Sequence, residues 1–200
     1  MTSSAPTKDQ NPPQDKIIVL VGLMGAGKSC VGRRVAQRLN IPFLDADAEV
    51  EAAAGCSIVD IFEQYGEKAF RDGERRVIAR LLDGPPSVIA TGGGAYIDEQ
   101  TRALINEKSL SVWLRADLDT LFARTSGRNH RPLLNSGNQR ETLSTLIDQR
   151  YPIYSEADLT IDTGSDSANV TCARVIDALA AHGATTDESD LSKQRSAQTS

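Results

Sequence analysis

Short apolar runs, punctuated by glycine and separated by amphipathic stretches, dominate the middle of this chain. Lys16–Val21 is a β-branched run bounded by proline on one side and glycine on the other, and it reads as a strand buried on both faces. Gly22–Gly27 follows as a loop. Ser29–Leu39 repeats Val31, Val35, Ala36 and Leu39 at helical spacing, with Arg33, Arg34, Gln37 and Arg38 turned away, and Asn40 ends it. Phe43–Leu44 predicts a short strand running into Asp45 and Asp47, followed by a helix over Ala48–Ala54 that stops at Gly55. A helical stretch starts after Ser57, and Phe70–Leu82 predicts another before the Gly84-Pro85-Pro86 break. Val88–Ala90 is a third strand, opening into Gly92-Gly93-Gly94.

Beyond that turn the pattern predicts a helix over Thr101–Asn106, a strand over Leu110–Leu114 and a helix over Leu118–Thr125. Ser126–Arg140 shows no periodicity over a length at which loops are normally shorter, so a lid is expected there. Glu141–Arg150 reads as a helix, Asp158–Ile161 as a fifth strand and Ala168–Ala181 as a closing helix. Strands separated by helices predict an α/β fold with a parallel sheet. Residues 1–15 and 184–200 are polar tails that cannot bury enough surface to offset ordering, so disorder is expected on either side of a folded body at 16–183.

With 200 residues and 40% hydrophobic content, the body is the size of one domain. The net charge of -5 argues against a nucleic-acid or membrane-surface protein, which would carry a dense basic face, so any anion recognition must be local. Cys30, Cys56 and Cys172 are widely spread without a CxxC, and His130 and His182 lie far apart. Neither a disulfide framework nor a zinc site is suggested. No apolar run approaches the roughly 20 residues of a membrane helix. A cytoplasmic monomer acting on small molecules is expected.

The chemistry starts at Gly22-Leu23-Met24-Gly25-Ala26-Gly27-Lys28-Ser29, which matches GxxxxGK[ST] between a strand and a helix, the context that motif requires. Glycines let successive N–H groups point inward, and the positive end of the next helix faces the same space, so phosphate oxygens fit there. Lys28 would reach the β- and γ-phosphates of a nucleotide, and the Ser29 hydroxyl would ligate Mg²⁺. A phosphate loop alone does not separate switches, motors and small-molecule kinases. No NKxD guanine motif occurs. Leu44-Asp45-Ala46-Asp47 puts two carboxylates at the end of the second strand, where α/β sheets bind ligands: one for metal and one for substrate.

Six ordered motifs then carry a resemblance: GLMGAGKS at Gly22–Ser29, LDAD at Leu44–Asp47, FRDGE at Phe70–Glu74, TGGG at Thr91–Gly94, RPLL at Arg131–Leu134 and RYPIYSEAD at Arg150–Asp158. Together they resemble the shikimate kinase family over essentially the whole folded body. The resemblance implies a three-layer P-loop NTPase fold of the nucleoside-monophosphate-kinase type, with a five-stranded parallel sheet and a lid at about 126–140. It implies transfer of the γ-phosphate of ATP to the 3-hydroxyl of shikimate, with Mg²⁺.

On these positions it implies that Gly25, Ala26, Gly27, Lys28, Ser29 and Cys30 hold phosphates and that Arg124 lies near adenine. Asp45 would hold Mg²⁺ through water together with Ser29. Asp47 would meet the substrate hydroxyls and act as general base. Arg71, Arg150 and the Gly93-Gly94 backbone would bind the substrate, the arginines in bidentate fashion on its carboxylate. Glu74 would orient Arg71, and Arg131 would meet the transferring phosphate, making Lys28, Asp47 and Arg131 the catalytic set. Where the family commonly has Thr, this chain has Cys30, whose thiol is a weak donor.

Plainer uses compete. Asp47 could cap the following helix, Arg71 with Glu74 could be a surface ion pair, Gly92–Gly94 could be only a flexible turn, and Cys30 could be a small packing residue. Gluconate kinase, a nucleoside-monophosphate kinase and a nucleotide-dependent regulatory module are the rival functions. The RPLL motif and the paired Asp and Arg positions disfavour the two kinases, and intact Lys28, Asp47, Arg71, Arg131 and Arg150 argue against the regulatory module.

Overall fold

The computed structural model describes residues 15–126 and 138–197, with side chains described as far as residue 183. Its elements run β1 (Ile18–Val21), α1 (Lys28–Leu39), β2 (Phe43–Asp45), α2 (Ala46–Ala54), α3 (Ile58–Leu82), β3 (Val88–Ala90), α4 (Glu99–Lys108), β4 (Leu110–Arg115), α5 (Leu118–Thr125), α6 (Gln139–Tyr154), β5 (Leu159–Asp162) and α7 (Ala168–Ala197). The five strands form one parallel sheet in the order β2-β3-β1-β4-β5. Every residue of β1 and β3 is buried, as continuous apolar runs in a doubly covered sheet demand. Because β-α-β crossovers are right-handed, the β1-to-β2 and β3-to-β4 connections put α1 and α4 on opposite faces. Helix α1 packs on α7, while α4 packs on α3 and β4. The chain jumps across β1 between β3 and β4, so the strand order doubles back at the carboxyl ends of β1 and β3. Ligands bind at such a reversal.

Several element ends differ from the pattern. The stretch from Ser57 to Leu82 is one helical run interrupted at Gly66 (φ 79°, ψ 172°), and Ser57 starts it with a reciprocal capping box to Asp60. The second half thus begins several residues before Phe70. Helix α2 starts two residues early because Asp45 caps it, its carboxylate accepting from the Asp47 N–H at 3.2 Å. Helix α6 runs past Arg150 and through Pro152 to Tyr154. Proline removes a helical bond to the carbonyl of Asp148, an exposed residue, so the break costs little there.

Helix α7 continues to Ala197, beyond the expected end at Ala181 and through residues 184–197 that read as a polar tail. Gly183 does not end it, because one glycine within a helix costs only about 1 kcal/mol and no proline follows it. The expected lid at 126–140 lies mostly outside the described residues, with only Ser126 and 138–140 inside them. No helix among the described residues is long and apolar enough to cross a membrane.

Candidate functional site

Two glycine-rich loops leave adjacent strands at the same sheet edge. The first, after β1, turns through Gly25 and Gly27 at φ 85° and 96°, a left-handed conformation that L side chains rarely adopt. Gly27 is the N-cap of α1 and supplies no side-chain cap, so the first-turn N–H groups face the loop. Lys28 is the first helical residue and is buried, its ammonium donating to the carbonyls of Gly22 at 2.7 Å and Leu23 at 3.1 Å. Ser29 Oγ donates to Asp45 Oδ2 at 2.8 Å, joining α1 to the end of β2. Cys30, in the same first turn, is exposed, and Arg34 Nη1 donates to its Sγ at 3.1 Å. Arg124 reaches back from α5, its Nη1 donating to the Gly25 carbonyl at 3.4 Å and to Thr163 Oγ1 at 3.4 Å, while Nη2 donates to the Gly164 carbonyl. That arginine spans the outer wall of the loop.

The second loop, Gly92-Gly93-Gly94 after β3, is where the residues expected to bind the phosphoryl acceptor converge. A Cβ on Gly92 would stand 2.7 Å from Asp47 Oδ1 and 3.0 Å from Glu74 Oε1. One on Gly94 would stand 2.5 Å from Arg71 Nη2 and 2.6 Å from Nη1. Glycine at these positions leaves room for the close approach of charged side chains, whose flexible ends any Cβ would have to displace. Arg150 Nη1 donates to the Gly93 carbonyl at 3.0 Å, and Gly93 itself backs onto Met24 N and the Gly22 carbonyl. The phosphate loop and the triple-glycine loop thus touch.

Burial separates the charges of this pocket. Asp47 is exposed, and the capping duty falls to Asp45, so the Asp47 carboxylate is accessible. Arg71 Nη1 donates to Glu74 Oε2 at 2.6 Å, with Glu74 only 3% exposed, which makes the pair part of the pocket wall rather than a surface bridge. Burial pushes the Glu74 carboxyl up, an effect that the Arg71 charge partly offsets and the neighbouring Asp47 reinforces. Phe70 is buried, with the Arg71 guanidinium 5.0 Å from its ring centroid.

The structure therefore gathers Gly25, Ala26, Gly27, Lys28, Ser29, Asp45 and Arg124 on one side and Asp47, Arg71, Gly93, Gly94 and Arg150 on the other. Arg131 lies outside the described residues. Two contacts were not readable in advance. Tyr154 donates its hydroxyl to the Gly93 carbonyl, and Thr163 bridges to Arg124. The four-residue spacing of Tyr154 from Arg150 was the one available sign.

Among the described residues no group of three or more His, Cys, Asp or Glu could hold a metal ion. Ser29 and Asp45 nevertheless offer hard oxygens in contact. That suits Mg²⁺, which is commonly held by one or two protein oxygens plus water and substrate phosphates.

Residues 24–180 match the family model described as shikimate kinase. The chain is 58% identical over 164 residues to the shikimate kinase of Paramagnetospirillum magneticum, an alignment covering 82% of this chain and 84% of that one. It is 56% identical over 171 residues to the shikimate kinase of Caulobacter vibrioides, covering 86% of each. Among solved structures, shikimate kinase from Acinetobacter baumannii in complex with shikimate matches with a TM-score of 0.81 at 36% identity, over 84% of this chain and 94% of that one.

Proposed function

The chain belongs to the shikimate kinase family, and from that premise we propose which of its residues perform each part of the reaction. It is an ATP-dependent phosphotransferase that phosphorylates shikimate. The observation that carries the assignment is the convergence of Asp47, Arg71 and Arg150 on Gly92–Gly94, directly beside the phosphate loop.

In this reading the loop N–H groups and Lys28 bind the β- and γ-phosphates of ATP, and Lys28 stabilises charge on the phosphoryl group in flight. Arg71 and Arg150 hold the acceptor carboxylate, with Glu74 fixing the Arg71 fork through their 2.6 Å bond. That grip presents the 3-hydroxyl to Asp47, which takes its proton as the oxygen bonds to the γ-phosphorus and the bond to the β,γ-bridging oxygen breaks. Ser29 and Asp45 would hold Mg²⁺, which neutralises phosphate charge when bound. Cys30 gives this loop a weaker donor than the family's common threonine. Arg124 braces the loop where adenine would lie.

Arg131 is assigned from the RPLL motif alone to the transferring phosphoryl group. Arg131→Ala is expected to lower kcat by about 10²-fold or more with a smaller change in shikimate KM. An Arg131→Ala variant with near-normal kcat removes this residue from the catalytic set. A monomer is proposed as well, and light scattering tests it. A cytoplasmic location is proposed from the spacing of the three cysteines, and cell fractionation tests it.

The substrate assignment is tested by exchanging fork for point charge. Arg71→Lys and Arg150→Lys keep the charge but lose bidentate geometry, and each is expected to raise shikimate KM by ~10- to 100-fold before ATP KM moves. Unchanged shikimate constants in both variants would place the acceptor carboxylate elsewhere.

A further inference from the structure

Helix α6 brings two donors to one acceptor. Arg150 Nη1 donates to the Gly93 carbonyl at 3.0 Å, and the Tyr154 hydroxyl donates to the same oxygen. The two residues are four apart and so lie on one face of the helix. A carbonyl oxygen carries two lone pairs, and this pair of donors fills them. Gly93 also lies near the phosphate loop: a Cβ there would be 3.4 Å from Met24 N, 3.7 Å from the Gly22 carbonyl and 3.9 Å from Arg150 Nη1. The Gly93 peptide thus lies where α6 and the Gly22–Gly27 loop meet.

Tyr154 is fully buried, with its ring centroid 5.9 Å from that of Trp113 and 6.3 Å from that of Tyr96. That packing fixes where its hydroxyl points. Burial pushes the phenol up to about 12, with the Arg150 charge opposing, so it remains a protonated donor throughout the range in which the enzyme can be assayed.

We propose that Tyr154 is a positioning residue for the acceptor: its hydroxyl fixes the Gly93 peptide against which Arg150 is aimed, and so sets recognition of a carboxylate-bearing substrate. This rests on the reading of Arg150 as a carboxylate-binding residue. Glycine has no Cβ to resist rotation. Without the hydroxyl the carbonyl keeps one donor fewer, the peptide rocks, and the guanidinium follows it away from the substrate.

The test compares Tyr154→Phe with Tyr151→Phe. Tyr151 is a fair control because it belongs to the same aromatic cluster but donates its hydroxyl to the Ala116 carbonyl. Shikimate affinity is read both as KM and by equilibrium titration of Trp113 fluorescence, the chain's sole tryptophan. Tyr154→Phe is expected to weaken shikimate by about three- to tenfold in both readouts, with ATP KM changed by less than about twofold. Tyr151→Phe is expected to leave the shikimate constants within about twofold of the parent.

Four results would each overturn the proposal: unchanged shikimate constants, equal rises for both substrates, the same effect from Tyr151→Phe, or loss of folding in Tyr154→Phe. Arg150→Lys separates the role of Tyr154 from the carboxylate-binding role of Arg150. If it weakens shikimate while Tyr154→Phe does not, the positioning role alone fails; if neither does, the carboxylate assignment fails with it.

Discussion

Lys28→Ala is expected to lower kcat by at least about 10²- to 10³-fold, the largest loss for any single residue of the phosphate loop. The ammonium is fixed at the first position of α1, buried and bonded to two carbonyls of its own loop. It is therefore held at the centre of the turn that cradles phosphate, and no other side chain of the motif carries positive charge. Alanine is the best helix former, so α1 should still form. The Gly22 and Leu23 carbonyls lose a charged donor, however, and a melting temperature lower by about 2–4 °C per kcal/mol lost follows for a domain of this size. Steady-state kinetics beside a melting curve separates the two effects. A folded variant retaining more than about a tenth of parental kcat would contradict the role given to Lys28.

The second large effect is expected from Asp47→Asn, which keeps the shape of the side chain and removes its basicity. A positioned general base contributes about 10²- to 10⁴-fold, so kcat should fall within that range, with shikimate still bound through Arg71 and Arg150. The fold should be unaffected, because Asp45 caps α2 and the Asp47 carboxylate lies exposed beside Gly92. Relief of repulsion with Glu74 should if anything favour the folded state slightly, since the Asp47 charge is one of the groups raising the Glu74 pKa. The check is kcat against pH for both proteins. Comparable kcat in parent and Asp47→Asn would show that proton removal does not depend on this carboxylate.

The sequence made the strands and the phosphate loop legible because each rests on local rules. Val88–Ala90 is apolar throughout and is followed after Thr91 by three glycines, and a buried parallel strand is the arrangement that satisfies it. The loop from Gly22 to Ser29 was legible because its glycines, lysine and serine sit at fixed spacing between a strand and a helix. Helix ends were less legible, since Gly183 and Pro152 are stop signals that neighbouring residues override.

In the acceptor pocket, residue types were readable but their partners were not. Nothing local tells that Asp45 rather than Asp47 caps α2, or that Glu74 is nearly inaccessible. The first follows from β2 ending at Asp45, whose carboxylate accepts from the Asp47 N–H, and the second from how α3 sets Glu74 against the triple-glycine loop. The Tyr154 bond to Gly93 joins residues 61 apart in the chain, beyond the reach of periodicity.

On the proposed reading, the triple-glycine pocket selects a carboxylate-bearing alcohol and passes it the γ-phosphate held by the neighbouring loop. Its most direct test is ADP release measured with one acceptor at a time, with and without Mg²⁺, and with the product's phosphate position read by ³¹P NMR. Mg²⁺-dependent turnover with shikimate, phosphorylated on the 3-hydroxyl, is expected, and only background ADP release with gluconate or a nucleoside monophosphate. Equal or faster turnover with gluconate or a nucleotide, or turnover with shikimate that ignores Mg²⁺, would contradict that reading.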